Sequence, residues 1–547
     1  MKPIPFKSIN IHGDLLDRAL KNFDRLEEPK YQIPEVFREL NYDWPGDTEG
    51  RTALALTLLS QATHRDPRYL AKIISLFPQN MNSQGYFGNL RSDNILDEQQ
   101  FTGHHWVLRA LIEYYLWKQD ALAYEVLQSV VKNLFLPAKR FIQQYPVDPT
   151  VRKADGRFAG NLIDEVIENW RLSTDVGCAF LALDGIAHAY NLFLSNDLRQ
   201  LVETMIERFL EMDLLQINAQ THATLSALRG LLRYYEQAKD STLLDEVKKI
   251  YYLYHSEAMT ENYANYNWFG RPEWTEPCAV IDSFIVAVSL WRFTGEPQFL
   301  EDAHLIYFNG ITHGQRSNGG FGCDTCTGSV NPFMTFSNYE SHWCCTMRGG
   351  EFFARAIESI YFMDETTVYL PFYFDNDAIF DLNVGKIKLK QTTHYPYKGK
   401  VQLEVLESSV QSPIKLNLFL PSWFSNPKMV YNNDNISFST NKSFAEFVGE
   451  LKQGDRLELN ADIDFQTQGT INKNNIQDYH TFRHGPLILG CETSEEIQLK
   501  QKSELFLTSA GTYQVSGADI VLSSISDVRH VIEDDICNYK KQILFRN

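Results

Sequence analysis

Four residues of the sequence combine types and spacings that could hold a metal ion or perform catalysis. Cys344 and Cys345 are adjacent, Cys278 lies upstream of them, and Glu276 precedes Cys278 by two positions. Thiolates and carboxylates are ligands of Zn²⁺, which prefers four of them in a tetrahedral arrangement and keeps a bound thiol deprotonated. A zinc-held thiolate beside a carboxylic acid would be a nucleophile with a general acid at hand.

A second ligand set fits the sequence equally well. Cys323 and Cys326 form a C-x-x-C pair, and together with Cys344 and Cys345 they would make a closed four-cysteine zinc site. Ligand pattern alone leaves both sets open. The remaining three cysteines lie in apolar sequence and are predicted to be buried in the core: Cys178, Cys491 and Cys537.

Composition excludes several classes of protein. The 547 residues carry 51 Lys+Arg and 69 Asp+Glu, a net charge of −18, and 44% of them are hydrophobic. An acidic chain without clustered basic residues is a poor partner for nucleic acid, and this one is too long and too poor in cysteine for a disulfide scaffold. No apolar run of about 18 residues predicts a membrane span. The N-terminus has no signal-peptide pattern, so a cytoplasmic location is expected as given, and a periplasmic one if a leader was removed before Met1.

The elements that must position these residues begin with a repeated helical pattern. Apolar residues at three- and four-residue spacing, broken by short polar turns, predict αα-hairpins that start at Leu54, Trp106, Leu181, Leu225 and Ile285. A sixth helix is predicted over 349–362. Together they predict an (α/α)6 toroid over residues 1–365, with an open solenoid as the alternative. The long segments between hairpins would meet at one mouth, where a site is expected.

From about residue 366 the apolar residues alternate with a period of two, which is typical of β-strands. Segments such as those beginning at Ile387, Val401 and Ile414 are bounded by Gly, Asn, Asp and Pro. They predict a β-sandwich region over residues 366–547, with a second division near residue 468. The first 15 or so residues are expected to join this β region, through which a homodimer could form.

Short motifs in this order resemble those of glycoside hydrolase family 127. Glu276-Pro277-Cys278 is similar to the family's Glu-Thr-Cys, and His255-Ser256-Glu257-Ala258 to its His-Gly-Glu-Ala segment. Cys344-Cys345 before a helix is similar to its cysteine pair. Two further segments look like family landmarks, at residues 44–51 (WPGDTEGR) and 483–487 (RHGPL).

The resemblance implies a fold, a reaction and a role for each residue. The family is typified by retaining β-L-arabinofuranosidases that use a zinc-bound cysteine nucleophile. Carried over to this chain, Zn²⁺ is the cofactor, Cys344 is the nucleophile and Glu257 is the acid/base, with Glu261 and Glu273 as its competitors. The implied zinc ligands are Glu276, Cys278, Cys344 and Cys345. A thiolate would replace the carboxylate nucleophile of the usual two-step retaining scheme.

The sequence also departs from the family pattern. Pro277 stands where the family has Thr, and Thr346-Met347-Arg348 stands where it has Pro-Pro-Asn. As a hypothesis, the Arg348 guanidinium pairs with a carboxylate on the sugar. The alternative is an arginine at a helix start that forms a surface or interdomain ion pair.

Further residues are predicted to contact the sugar. His104 and His222 occupy positions where the family places imidazoles, although a histidine on an apolar helix is more often a core residue. Tyr339 and Trp274 lie near the cysteines and would offer flat faces, with loop packing as the alternative. Asp47 is expected either to cap a helix or to bind sugar hydroxyls.

Taken together, the sequence predicts a zinc-dependent retaining exo-glycosidase that acts on a terminal sugar of plant-type glycans. That sugar is expected to be L-arabinofuranosyl or a related one, including an acidic one. An (α/α)-toroid polysaccharide lyase or a sugar epimerase is the alternative enzyme, although it would leave the cysteine pair unexplained. A non-catalytic glycan-binding protein whose zinc only joins loops is the third candidate.

Overall fold

The computed structural model describes residues 1–38, 44–92, 94–152, 159–272, 275–323, 331–336, 340–472, 478–526 and 539–546. The α-helices in this part of the chain are α1 (Gly13–Leu26), α2 (Asp47–Thr63), α3 (Leu70–Asn80), α4 (Glu98–Lys118), α5 (Ala121–Val130), α6 (Leu136–Ile142), α7 (Ala182–Phe193), α8 (Asn196–Leu210), α9 (Thr221–Ala238), α10 (Ser241–Glu257), α11 (Pro277–Thr294), α12 (Pro297–Leu305) and α13 (Cys345–Glu358).

Six of these helices form a closed inner ring. Helix α2 contacts α4, and contacts continue through α7, α9 and α11 to α13, which packs back on α2. The helices α3, α5, α8, α10 and α12 pack outside as the second members of the predicted hairpins, and α1 packs against α13 and α2. The predicted (α/α)6 toroid is therefore confirmed, and α1 supplies the outer partner of the sixth inner helix.

Inner and outer helices differ in burial as their sequences require. On α4 every residue from Glu98 to Ile112 is buried, whereas α8 buries only its apolar stripe. A helix that is enclosed by neighbours on all sides needs apolar or paired residues on every face. The predicted turns supply the caps: the Asp120 and Asp240 carboxylates accept backbone N–H groups at the starts of α5 and α10, and Gly295 ends α11 with φ of 70°.

The sixth inner helix begins earlier than the sequence predicts. It runs from Cys345 to Glu358 and not over 349–362, so Cys344 is its N-cap residue. Helix α11, with 18 residues, is the one described helix long and apolar enough to cross a membrane, and 72% of that window is buried inside the protein. Its apolar composition is explained by its place in the inner ring.

The strands, in chain order, are β1 (Lys2–Pro3), β2 (Ile9–Ile11), β3 (Leu96–Asp97), β4 (Leu162–Ile167), β5 (Trp170–Ser173), β6 (Phe333–Phe336), β7 (Phe362–Met363), β8 (Thr367–Leu370), β9 (Asn376–Leu382), β10 (Gly385–Thr393), β11 (Gly399–Ser408), β12 (Ile414–Phe419), β13 (Phe424–Tyr431), β14 (Asp434–Ile436), β15 (Ser439–Asn441), β16 (Phe444–Gly449), β17 (Arg456–Ile463), β18 (Phe465–Gly469), β19 (Tyr479–His484), β20 (Leu487–Glu492), β21 (Leu505–Ser509), β22 (Thr512–Val515), β23 (Val521–Ser524), β24 (Tyr539–Gln542) and β25 (Phe545–Arg546). Strands β3, β5 and β4 form a small sheet beside α4.

Two sheets of the C-terminal region form a sandwich. One has the order β1-β7-β8-β12-β16-β15 and the other β14-β13-β17-β11-β10-β9-β2. Their inner faces meet, for example where the rings of Tyr431 and Phe447 lie 5.3 Å apart. Alternate residues of β9 and β11 are buried, as the two-residue period predicts. The first eleven residues take part in both sheets, because β1 pairs with β7 and β2 with β9.

A third sheet begins at Phe465. It has the order β18-β19-β20-β23-β22-β21, with β25 paired to β19 and β24 paired to both β20 and β6. Strand β6 belongs to the segment that leads from the helical ring toward the cysteine pair. The C-terminal strands therefore hold part of the chain that approaches Cys344.

Candidate active site

The N-terminal ends of the inner helices meet around a cavity of about 530 Å³. Each inner helix contributes a lining residue at or near its start: Asp47 of α2, Thr102 of α4, Leu181 before α7, Gln220 before α9 and His222 within it, Glu276 before α11, and Cys344 before α13. Because inner helices run in the same direction, the segments between hairpins converge here. The predicted position of the site at one mouth of the ring agrees with this arrangement.

A carboxylate and three thiols lie together at the base of the cavity. The ligand atoms of Glu276, Cys278, Cys344 and Cys345 all lie within 4.8 Å of one another. The Cys345 Sγ is 3.3 Å from that of Cys344 and 3.7 Å from that of Cys278. Cys278 and Cys345 are fully buried, whereas Cys344 is half-buried and lines the cavity.

The three thiols of the cluster differ in how their surroundings shift the thiol pKa. Burial opposes ionisation of Cys278, but the hydrogen bonds it shares with Cys344 and Cys345 and the nearby Arg51 charge together lower its pKa well below the usual range. The Arg51 Nη1 lies 3.6 Å from the Cys278 Sγ. The contact with Cys278 raises the pKa of Cys344, and burial raises that of Cys345. Of the three thiols, Cys278 is therefore the one whose ionisation its surroundings favour.

These residues fit a divalent metal ion. The Glu276 Oε2 is buried and has no hydrogen-bond partner among the described residues, so one carboxylate oxygen stands ready for a cation. Soft thiolates with one carboxylate suit Zn²⁺, which would replace the protons on the sulfurs. Of the two ligand sets left open by the sequence, Cys326 of the closed set lies outside the described residues.

His222 links the cluster to the centre of the ring. Its Nδ1 is 3.4 Å from the Glu276 Oε1, its Nε2 is 3.4 Å from the Asp282 Oδ2, and its ring stacks on Trp106. Burial lowers the pKa of His222, but the Glu276 charge and hydrogen bond outweigh it and raise the pKa overall. A histidine so placed orients the Glu276 carboxylate, as outer partners of metal ligands do.

Arg348 lies in the centre of the ring and not at the surface. It is buried and pairs with Asp282 and with Glu351, one turn further along α13. Arg109 and Arg229 join the same network, in which the Arg229 Nη1 is 2.5 Å from the Asp282 Oδ1 and the Arg109 Nε is 3.0 Å from the Asp184 Oδ2. Arg233 also pairs with Asp184, so four guanidinium groups face three carboxylates. This placement favours a role for Arg348 in joining inner helices over contact with a sugar.

Both ring nitrogens of His104 form hydrogen bonds with backbone groups. Its Nε2 accepts a hydrogen bond from the Phe87 N–H at 2.8 Å, and its Nδ1 lies 2.7 Å from the Gln100 carbonyl oxygen. The Nδ1 must therefore carry the proton, and burial lowers the pKa of His104 to about 4. His104 is not among the described residues that line the cavity, and it packs against Gly46 just before Asp47.

Asp47 and Trp343 line the cavity. The Asp47 carboxylate is 2.8 Å from the Arg51 Nε within the first turn of α2, so it is an ion-pair partner as well as a wall residue. The predicted sugar contacts Trp274 and Tyr339 lie outside the described residues.

Glu257, the predicted acid/base, is the last residue of α10 and is buried. It is not among the described residues that line the cavity. Its competitor Glu261 accepts hydrogen bonds from the backbone N–H groups of Ile471 and Asn472, in the connection between β18 and β19. The other competitor, Glu273, lies outside the described residues.

The structure adds one carboxyl group that the sequence analysis did not single out. Asp175 lines the cavity, and burial together with the Glu276 and Glu98 charges raises its pKa to about 7. Its Oδ2 accepts the Gly160 N–H, while its Oδ1 is buried without a hydrogen-bond partner among the described residues. It lies just before an inner helix, so polar residues preceding each predicted inner helix were the signal that would have found it.

A second missed residue holds the cysteine-bearing segment. The Glu340 carboxylate accepts hydrogen bonds from Arg25 at 2.6 Å, the Tyr31 hydroxyl at 2.9 Å and the Thr346 hydroxyl at 2.7 Å. Thr346 also accepts the Phe321 N–H. The Thr that departs from the family pattern therefore fastens the start of α13 to the outer helix α1 through Glu340.

Comparison with known proteins identifies a family that part of this chain matches. Residues 367–463, from the start of β8 to the end of β17, match the family described as beta-L-arabinofuranosidase, GH127 middle domain. The resemblance to glycoside hydrolase family 127 is confirmed. No curated protein sequence matches the chain.

Solved structures share the fold along the whole chain. A GH127 β-arabinofuranosidase matches with a TM-score of 0.72 and 14% identity over 100% of this chain and 97% of its own. A GH127 β-L-arabinofuranosidase from Geobacillus stearothermophilus T6 matches with 0.72 and 12% identity over 98% and 99%. A further glycoside hydrolase matches with 0.72 and 13% identity over 100% and 97%. The fold of these GH127 structures thus extends over the toroid and all three large sheets of this chain.

Proposed function

We propose that this chain is a retaining exo-glycosidase that releases a terminal L-arabinofuranosyl or related sugar from plant-type glycans. Its nucleophile is the Cys344 thiolate and its acid/base is Glu257. The observation that carries the proposal is the convergence of the Glu276, Cys278, Cys344 and Cys345 ligand atoms within 4.8 Å at the base of the cavity. Neither a lyase nor an epimerase would need such a cluster.

The accessibility of the sulfurs supports Cys344 as the nucleophile. Of the three clustered thiols, Cys344 is the one that lines the cavity. It is also the N-cap residue of α13, whose positive end favours a thiolate. Cys278 and Cys345 lie behind it, fully buried, where they can hold a metal but not meet a sugar.

The reaction follows two displacements at the anomeric carbon. In the first, the Cys344 sulfur forms a bond to that carbon while the bond to the leaving oxygen breaks, and the Glu257 carboxyl gives its proton to this oxygen. In the second, Glu257 takes a proton from water, the water oxygen bonds to the carbon, and the Cys344 thiolate leaves. Zn²⁺ bound by Glu276, Cys278, Cys344 and Cys345 would keep the thiol deprotonated and stabilise it as a leaving group.

The nucleophile is tested by trapping. A slow aryl β-L-arabinofuranoside should give a sugar adduct that mass spectrometry locates on Cys344, and the product should retain its anomeric configuration. Cys344→Ala should lower kcat/KM by at least about 1,000-fold, while Cys491→Ala in the third sheet should leave it unchanged. An adduct on a carboxylate, or inversion, would contradict the proposal.

The acid/base is tested by comparing Glu257→Gln with Glu261→Gln and Asp175→Asn. Loss of the true acid should cost roughly 100- to 10,000-fold on a substrate with a poor leaving group and much less on a nitrophenyl glycoside. We expect this dependence on the leaving group for Glu257→Gln alone. If Asp175→Asn shows it instead, the acid assignment moves to Asp175.

A further inference from the structure

A fourth thiol adjoins the cluster. Cys323 is buried and lines the cavity, its Sγ is 3.9 Å from the Cys345 Sγ, and it is 3.0 Å from the Ser341 hydroxyl oxygen. It therefore contacts the same central sulfur, Cys345, that Cys344 and Cys278 contact at 3.3 and 3.7 Å.

The separations of Cys345 from Cys323 and from Cys278 are close to those of two sulfur ligands on one metal ion. Two sulfurs that share a tetrahedral Zn²⁺ at about 2.3 Å lie about 3.8 Å apart. Cys323 stands at this distance from Cys345, on the cavity side where Cys344 also lies. A metal ion held by Cys345 is thus within reach of either thiol after a side-chain rotation.

Cys323 is therefore a fifth potential donor, next to Cys345, beside the four whose ligand atoms lie within 4.8 Å of one another, whereas Zn²⁺ takes four. Glu276, Cys278 and Cys345 are buried and fill three places, so Cys323 and Cys344 remain for the fourth. We propose that Cys323 is an alternative metal ligand that takes the place of Cys344, giving up its proton to solvent as it binds. This inference rests on the metal centre of the proposed function.

The exchange would give the metal site a property that four donors cannot. When the Cys344 sulfur is bonded to a sugar it is a thioether, which is a weaker ligand than a thiolate. If Cys323 binds in its place, Cys278, Cys323 and Cys345 supply three thiolates and Glu276 supplies one carboxylate. The metal would then stay bound while the nucleophile is occupied.

The test counts thiolates on cobalt-substituted protein. The intensity of the sulfur-to-Co²⁺ charge-transfer band rises with the number of bound thiolates, so it is read for the full chain, Cys344→Ala, Cys323→Ala and Cys344→Ala/Cys323→Ala. We expect three thiolates for the first three proteins and two for the double variant. Competition with a chromophoric chelator should show Cys344→Ala within about tenfold of the full chain in Zn²⁺ affinity, and the double variant at least about 100-fold weaker.

The outcomes separate this inference from the proposed function. If Cys344→Ala already shows two thiolates and matches the double variant, Cys323 is not a ligand and the inference is wrong. If the unmodified chain shows no thiolate band, the metal centre itself is wrong. Cys491→Ala serves as the control for loss of an unrelated thiol, and Cys323→Ser, which keeps a hydroxyl for Ser341, replaces Cys323→Ala if that variant does not fold.

Discussion

Glu340 shows how much of the cysteine site depends on a residue outside it. Its carboxylate lies between α1 and the start of α13, and its side chain is only 7% exposed. Arg25, Tyr31 and Thr346 all donate to it. Because these partners would be left unpaired in a buried place, losing the charge costs more than one hydrogen bond.

We expect Glu340→Gln to lower the free energy of unfolding by about 3 kcal/mol. Chemical denaturation measures this, and Glu365→Gln, at a surface turn before β8, is the control with little expected effect. A variant as stable as the parent would show that the three donors find other partners.

The same residue predicts how stability depends on pH. Burial opposes ionisation of Glu340, but hydrogen bonds from Arg25, Thr346 and Tyr31 outweigh it and lower its pKa in the folded state. The stabilising contribution is therefore complete above the unfolded pKa of about 4.3 and is lost as pH falls through the lower folded value. The stability difference between the parent and Glu340→Gln should shrink on acidification from pH 6 to pH 3, and a constant difference would contradict this cause.

At the scale of single residues, the sequence predicted the cysteine cluster but not the residues that hold it in position. Glu276, Cys278, Cys344 and Cys345 stood out because their types are rare and chemically specific. Glu340, Asp175 and the network of Arg348 involve common residues whose partners are distant in sequence, as with Arg25 and Glu340. Only the assembled ring shows that these charges are buried and paired.

At the scale of elements, the inner helices pack closely where one of them carries glycine. A Cβ added to Gly230 of α9 would lie 2.5 Å from the Leu183 carbonyl carbon of α7. A Cβ added to Gly50 of α2 would lie 2.4 Å from the Val107 nitrogen of α4. In both places the obstacle is backbone, which cannot rotate away.

Gly230→Ala is therefore expected to destabilise the protein. Alanine favours a helix over glycine by about 1 kcal/mol, but forcing α7 and α9 apart costs about 3 kcal/mol, so the clash wins. Thermal unfolding should show the loss, and Gly469→Ala, where nothing lies within 4 Å, is the control. An unchanged melting temperature would mean that the two helices can separate freely.

Periodicity predicted most of the elements because amphipathic patterns are local. The five hairpins and the main strands of the sandwich follow their apolar spacing. Helix α13 begins four residues before its predicted start, because Thr346 and Arg348 in its first turn are polar and are buried only through their hydrogen bonds and ion pairs with distant residues. The pairing of β6 with β24 joins distant segments and has no local signal.

At the scale of the whole molecule, the first eleven residues, which precede the helical ring in sequence, pair with strands of the C-terminal sandwich. Strand β1 pairs with β7 and β2 with β9, and Ile4, Ile9 and Ile11 are buried. Residues 1–365 therefore contain β-strands in addition to the helical ring. Residues 366–547 alone would lack the strands that complete the two sandwich sheets.

Deletion of residues 1–11 should destabilise the β region and not only the ring. Removing three buried isoleucines costs roughly 5 kcal/mol, and the newly exposed edges of β7 and β9 favour association. Size-exclusion chromatography and thermal unfolding measure both effects, with the exposed substitutions Lys7→Ala and Asn10→Ala as control. A monomeric deletion variant of parental stability would contradict the role given to these strands.

The pairing of β2 with β9 also determines how long β2 waits for its partner strand during synthesis of the chain. Ile9 pairs with Ala378, so 378 − 9 = 369 residues must be added before its partner exists. At about 5 to 20 residues per second, that interval is roughly 20 to 70 s. During this time Ile9 and Ile11 of β2, which are buried in the folded protein, lack the strand with which they pair. A nascent chain of this protein is therefore expected to need chaperones that cover the segment around Ile9 until β9 has been made, by which time Cys278, Cys344 and Cys345 have already been added.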